Sequence, residues 1–253
     1  MRPMTTPDSV ASAADPPCVR FRDVRKAFGG TPVLRGVDLT VARGEFVGLA
    51  GLNGAGKTTL LKCMLDFCAP DGGRIELFGM PSTRPESRAR LAYLPERFVP
   101  PYHLSGRDFL RYSAALQGYR YDESRAQAML ESLDLEPAAL AKPVRAYSKG
   151  MTQKLGLAAI FLAGRDLAVL DEPMSGLDPR ARACVKALAK NARAAGRSLF
   201  FTSHSLADIA ELADRVVVLH RGVPYFAGTP EDLCQDFGGG SGTTTEQAFL
   251  RCI

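Results

Sequence analysis

EFVGLAGLNGAGKTTLLKCMLDF, residues 45–67, decides how the rest of the chain is read. EFVGLAG (45–51) is an apolar run of the kind that forms a buried strand, and GKTTLLKCMLDF (56–67) has the make-up of a helix. The join, GLNGAGKT (51–58), matches G-x-x-x-x-G-K-[ST] in full and stands where that motif works, between strand and helix. Glycines let successive backbone N–H groups curl around phosphate oxygens, and the helix N-terminus adds a favourable dipole. In that setting Gly51, Asn53, Gly54, Ala55 and Gly56 shape the cradle and Lys57 reaches the β- and γ-phosphates. The Thr58 hydroxyl is placed to ligate Mg²⁺, and Thr59 to reach the α-phosphate. A glycine-rich turn that merely packs is the plainer alternative, and the complete pattern in its proper context outweighs it. The stretch predicts a nucleoside triphosphate site.

Working outward, VRFRDVRKAF (19–28) and VLRGVDLTVARG (33–44) alternate apolar and polar residues, which predicts an antiparallel β layer with one wet face. RIELFG (74–79) and ARLAYLP (89–95) read as two more short strands. From Ser105 to about Leu140 the period becomes helical: Phe109, Tyr112 and Leu116 share one face, and Ala126, Met129, Leu130 and Leu133 another. Strands resume with DLAVLDEP (166–173), SLFFTSH (198–204) and RVVVLHRG (215–222), each after a helix-like segment. The fold class expected is α/β with a largely parallel core sheet, an antiparallel N-terminal layer and a helical insertion. Residues 1–17 read as a disordered leader without the apolar core of a signal peptide. GGGSG (238–242) reads as a flexible link, with Thr243 and Glu246 as a capping box for a last short helix, TTEQAFL.

Composition narrows the classes. A chain of 253 residues with 46% hydrophobic content builds a sizeable core, and a net charge of +5 spread along the chain argues only weakly for a nucleic-acid surface. The six cysteines form no C-x-x-C pair and no zinc spacing, so they read as reduced thiols of a cytosolic protein. The longest apolar run, LGLAAIFLAG (155–164), falls short of the roughly 20 residues a membrane span needs.

LAVLDEP (167–173) is a buried strand ending in two carboxylates. Successive residues there point different ways, so Asp171 is placed to hold the Mg²⁺ shell and Glu172 to face an attacking water. YSKGMTQK (147–154) puts a serine, a lysine and a glycine at a helix start, a second arrangement suited to an anion.

Taken in order, Phe28, GLNGAGKTT, YLPE, YSKGMTQK, LAVLDEP, SGLD and FTSH resemble the ATP-binding cassette ATPases, the motor subunits of ABC transporters, over residues 18–230. The resemblance implies a phosphate-loop ATPase fold over 18–237, with a helical subdomain at about 98–160 and a link and short helix over 238–253. It implies ATP and Mg²⁺ as ligands and a head-to-tail dimer in which Ser148, Lys149 and Gly150 of one copy cover the γ-phosphate held by the other. In this chain the signature reads YSKGM where the family form is LSGGQ, and Lys149 either draws the phosphate or faces solvent. Phe28 matches the aromatic that stacks on adenine, against the alternative of a core phenylalanine at a strand end. Asp178 in SGLD matches a residue that couples the two sites, and His204 the switch histidine that orients the water. Glu96 stands where the family commonly has glutamine; a carboxylate can hold Mg²⁺ or its water but cannot donate when ionised. YLPE, YSKGM and the trailing helix are similar to ATPases of two-component bacterial exporters. The implied partners are a second copy of the chain and a polytopic membrane permease, with no nucleic acid, at the cytoplasmic face of the membrane. A soluble cassette ATPase of translation or DNA repair is the alternative.

Overall fold

A computed structural model describes residues 15–238 and 243–253. Most of the expected leader and most of the 238–242 link lie outside the described residues. The chain runs β1 (Val19–Phe28), β2 (Thr31–Val41), β3 (Phe46–Ala50), α1 (Lys57–Met64), β4 (Gly72–Leu77), β5 (Met80–Pro81), α2 (Pro85–Arg88) and β6 (Leu91–Leu94). It continues through α3 (Gly106–Leu116), α4 (Glu123–Ser132), α5 (Lys149–Ala163), β7 (Leu167–Leu170), α6 (Pro179–Ala194) and β8 (Ser198–Thr202). It ends with α7 (Leu206–Leu212), β9 (Arg215–His220), β10 (Val223–Gly228), α8 (Pro230–Phe237) and α9 (Thr245–Cys252).

Two sheets enclose α1. One is four-stranded and antiparallel, in the order β2-β1-β4-β5; the other has six strands in the order β10-β9-β3-β8-β7-β6. In the second, β9, β3, β8, β7 and β6 are parallel and only β10 runs against its neighbour. The α/β class and the antiparallel layer expected from the pattern are therefore present. Because side chains alternate along a strand, the parallel sheet splits its apolar residues between two cores. Val47, Leu49, Val169, Phe200 and Val217 face α1 and the antiparallel sheet. Phe46, Ala50, Leu170, Phe201 and Val216 face the helices on the other side. Gly48 lets α7 approach β3: a methyl group there would lie 2.6 Å from Ile209 Cγ2.

Helix α5 is buried from Gln153 to Leu162 on every side, which explains why LGLAAIFLAG is uniformly apolar. Among the described residues no helix is long and apolar enough to cross a membrane.

One local expectation is corrected and one is sharpened. Helix α3 forms where the period became helical, and the face it buries holds Phe109, Leu110, Ser113 and Ala114, leaving Tyr112 and Leu116 exposed. The small Ser113 and Ala114 allow close packing, and that decides the face over side-chain size. The last helix is capped one residue later than expected: Thr244 and Gln247 form the capping box. That register buries Ala248, Phe249 and Cys252 together, and burial selects between two adjacent boxes of similar chemistry.

Candidate functional site

The carboxyl ends of β3, β7 and β8 meet on one side of the parallel sheet, the edge where open α/β sheets place ligands. After Ala50 the chain threads a narrow passage into α1. A side chain on Gly51 would lie 2.5 Å from the Leu219 carbonyl oxygen, and Gly56 takes a left-handed φ of 107° as it caps α1. Glycine meets both demands without strain. Lys57 turns back on this loop: its ammonium donates to the carbonyls of Gly51 (2.6 Å) and Leu52 (3.3 Å). Burial pulls the Lys57 pKa down, against the raising charges of Glu172, Asp171 and Glu96. The result is a cleft of about 280 Å³ lined by residues 52–59 together with Val33, Glu96, Asp171, Glu172 and His204.

Asp171 and Glu172 follow β7, and the end of β8 sets their geometry. The Thr202 hydroxyl donates to Asp171 Oδ1 (2.7 Å) and accepts from the Glu172 backbone N–H (2.9 Å). One buried hydroxyl therefore holds both residues. Glu172 is in the left-handed region, with φ of 50°, a conformation that costs a non-glycine residue about 1 kcal/mol or more. Its side chain folds toward the next loop, where Oε2 accepts from the His204 backbone N–H (3.1 Å). The His204 ring lies 3.3 Å from Oε1 by its Nε2, within ion-pair reach but not aligned as a hydrogen bond, so Oε1 has no hydrogen-bond donor among the described residues. Burial raises the pKa of both carboxyls; the Thr202 hydroxyl opposes it at Asp171 and His204 opposes it at Glu172.

The other candidates lie outside this cleft. Phe28 ends β1 and is 52% exposed, with the Lys26 ammonium 5.3 Å from its ring centre; it is not a core residue. Ser148 caps α5, accepting from the Met151 N–H at 3.2 Å, and Gly150 sits in the first turn. Lys149 is exposed, lays its stem over Gly176 and borders a second hollow with Arg97, Phe98, Tyr102 and Gln153. Asp178 caps α6 by accepting from the Ala181 N–H at 2.8 Å. Thr202, Val33 and Leu52 belong to the cleft or its support without having been singled out from sequence. For Thr202 a signal existed: a hydroxyl directly after the apolar run LFF in SLFFT, two residues before His204.

No group of three or more His, Cys, Asp or Glu side chains among the described residues makes a self-contained metal cage. Among the groups that line the cleft, the Thr58 hydroxyl and the carboxylates of Asp171 and Glu96 supply oxygen donors. That set fits Mg²⁺, which takes few protein ligands and keeps waters and phosphate oxygens for the rest.

The profile of the ABC transporter family matches residues 34–175, more than half of the chain. The chain belongs to the ABC transporter family as an ATP-binding protein. It is 37% identical over 240 residues to an ABC transporter ATP-binding protein of Nostoc sp., covering 90% of this chain and 71% of that one. The daunorubicin resistance ATP-binding protein DrrA3 of Streptomyces coeruleorubidus is 37% identical, over 85% of this chain and 69% of its own. The Nod factor export ATP-binding protein I of Burkholderia lata is 38% identical, over 86% and 72%. A solved ATP-binding subunit of an ABC transporter superposes with a TM-score of 0.86 at 30% identity, over 93% of this chain and 99% of that one. An ATP-bound bacterial Atm1-family exporter has the same fold, with a TM-score of 0.79 at 22% identity over 98% of this chain and 44% of its own. This ABC domain therefore binds ATP, and ATPase activity is the general property of its family.

Proposed function

We propose that this cassette hydrolyses Mg-ATP as a homodimer at the cytoplasmic face of the membrane and drives export through separate membrane-spanning subunits. One observation carries the reading: a single cleft gathers the phosphate loop, Asp171, Glu172 and His204, while the Ser148–Gly150 helix end lies outside it. A cleft built this way is completed by a second copy.

In this mechanism the N–H groups of residues 51–56 and the Lys57 ammonium bind the phosphates, and a water sits in line with the γ-phosphorus. Glu172 Oε1, which has no hydrogen-bond donor, accepts a proton from that water, while the His204 N–H fixes Oε2. Thr58, Asp171 and Glu96 hold the divalent cation, which when bound neutralises charge on the phosphates. The Ser148 hydroxyl already accepts from Met151, so its own proton is free to donate to the γ-phosphate of the facing copy, beside the Gly150 N–H. Phe28, exposed at the rim of the antiparallel sheet, stacks the adenine. Asp178, at the start of α6, links the two sites, and Lys149 faces solvent.

Export is supported by the relatives, DrrA3 and the Nod factor export proteins. The second hollow, about 500 Å³ and bordered by Phe98, Val99, Tyr102, Val144 and Tyr147, offers apolar surface for a helix of the membrane partner. Nucleic acid has no part in this reading. The test is Glu172→Gln, expected to stop turnover while retaining ATP binding and to give an ATP-dependent dimer by sedimentation. Turnover at the parental rate would remove Glu172 as base; a nucleotide-bound variant that stays monomeric at high concentration would remove the shared site.

A further inference from the structure

Away from the nucleotide cleft, the far end of α1 brings two thiols together. The helix ends because Asp66 adopts a left-handed φ of 64°. The Phe67 N–H then donates to the Lys62 carbonyl (2.9 Å) and the Asp66 N–H to the Cys63 carbonyl (3.3 Å), the paired closing bonds of a Schellman end. This reversal carries Cys68 back against the helix, with its sulfur 3.9 Å from that of Cys63. Cys63 is 1% exposed, whereas Cys68 is half-buried and reachable. Lys26, held to Asp71 at 2.7 Å, brings a positive charge close enough to both sulfurs to interact with them. Among the described residues no other two cysteine sulfurs are joined by a hydrogen bond.

We propose that Cys63 and Cys68 are a hydroperoxide-responsive dithiol that closes to a reversible intramolecular disulfide. The more exposed partner reacts first: the Cys68 sulfur, as thiolate, attacks the peroxide oxygen; the O–O bond breaks, and Cys68 becomes a sulfenic acid as water or an alcohol leaves. Cys63 then loses its proton and attacks the Cys68 sulfur, the S–O bond breaks, and the oxygen leaves as a second water. Two thiols and one hydroperoxide thus give one disulfide, one water and one further water or alcohol. The sulfurs lose two electrons and the O–O bond gains them. The sulfurs must approach by about 2 Å to reach a bond of about 2.05 Å. Burial, and then the Cys68 sulfur itself, push the Cys63 pKa up to about 12, and Cys63 is buried where Cys68 is reachable; exposure therefore puts the oxidation of Cys68 first. The site is independent of the ATPase reading.

Cleavage after Lys62 and Arg74 releases CMLDFCAPDGGR (63–74), which holds both cysteines and no other. The full chain is treated with hydrogen peroxide at a modest excess, alkylated, digested and weighed. The expected peptide takes up no alkyl group and is lighter by about 2 Da. Dithiothreitol restores two alkylation sites. In Cys68→Ser, a change at a half-buried position, Cys63 should remain fully alkylatable at the same dose. The proposal is overturned if Cys68 in the parent proceeds to sulfinic acid while Cys63 stays alkylatable, or if Cys63 oxidises equally without Cys68. Should Cys68→Ser fail to fold, the peptide mass of the parent decides alone, since it needs no substitution.

Discussion

Replacing Thr202 by valine preserves the shape of a fully buried side chain and deletes one oxygen, which makes it a clean probe of what that oxygen holds. Thr202 is 0% exposed, so no solvent takes over its bonds. The Glu172 N–H loses its acceptor, and leaving a buried donor unsatisfied costs about 1–3 kcal/mol. Asp171 loses a donor to its carboxylate, a bond worth about 1.5–3 kcal/mol. The expected loss is about 3–5 kcal/mol, against a total stability of about 5–15 kcal/mol for a folded domain. In urea unfolding this moves the midpoint down by about 1–2 M. Glu172, no longer fixed in its left-handed conformation, drifts from the line of attack, and kcat for ATP falls about 10–100-fold. Thr202→Ser keeps the hydroxyl and should lie within about 1 kcal/mol of the parent. A valine variant within about 0.5 kcal/mol of the parent, or a serine variant as damaged as the valine one, refutes the reasoning.

Other outcomes follow from single contacts. Lys186→Met strips Asp208, 5% exposed, of its 2.7 Å partner and leaves only Arg182 at 3.6 Å; breaking such a pair should cost about 3 kcal/mol in denaturant unfolding. The double change Lys186→Met with Asp208→Leu should recover all but about 1 kcal/mol, because the stranded charge is gone. Phe28→Ala, at an exposed position, should leave stability within about 0.5 kcal/mol while weakening ATP binding about 2–10-fold by calorimetry. Ser148→Ala removes the cap of α5 and should cost about 1 kcal/mol. In a Glu172→Gln background it should also abolish the ATP-dependent dimer; a dimer of undiminished affinity by sedimentation would detach Ser148 from the shared site.

What could be read from sequence was local. The strand, loop and helix around GLNGAGKT lie within one short stretch, and the alternation that places β1 and β2 in one antiparallel sheet is a property of each strand alone. The cleft lining was nameable for the same reason, since the phosphate loop, LAVLDEP and FTSH are each contiguous. Thr202 escaped notice because its work depends on β7 and β8 being neighbours in the sheet, with Leu170 opposite Phe201. No pattern within either strand states that pairing. The buried side of α3 was not legible for a related reason: the period shows a helix with Phe109, Tyr112 and Leu116 on one face, but tertiary packing selects Phe109, Leu110, Ser113 and Ala114 for burial. The exposed Tyr112 and Leu116 that result have no account in the fold itself.

The grip of Lys57 on its own loop alters what any change at that position measures. An ammonium has three protons, and the carbonyls of Gly51 and Leu52 engage two of them. The side chain is thus an internal strut across the glycine arch, with one proton left for another partner. Shortening it would slacken the arch as well as delete a charge, so lost affinity would mix two causes. Hydrogen exchange at the amides of residues 53–56 separates them, because slackening speeds exchange in the protein by itself whereas loss of charge does not.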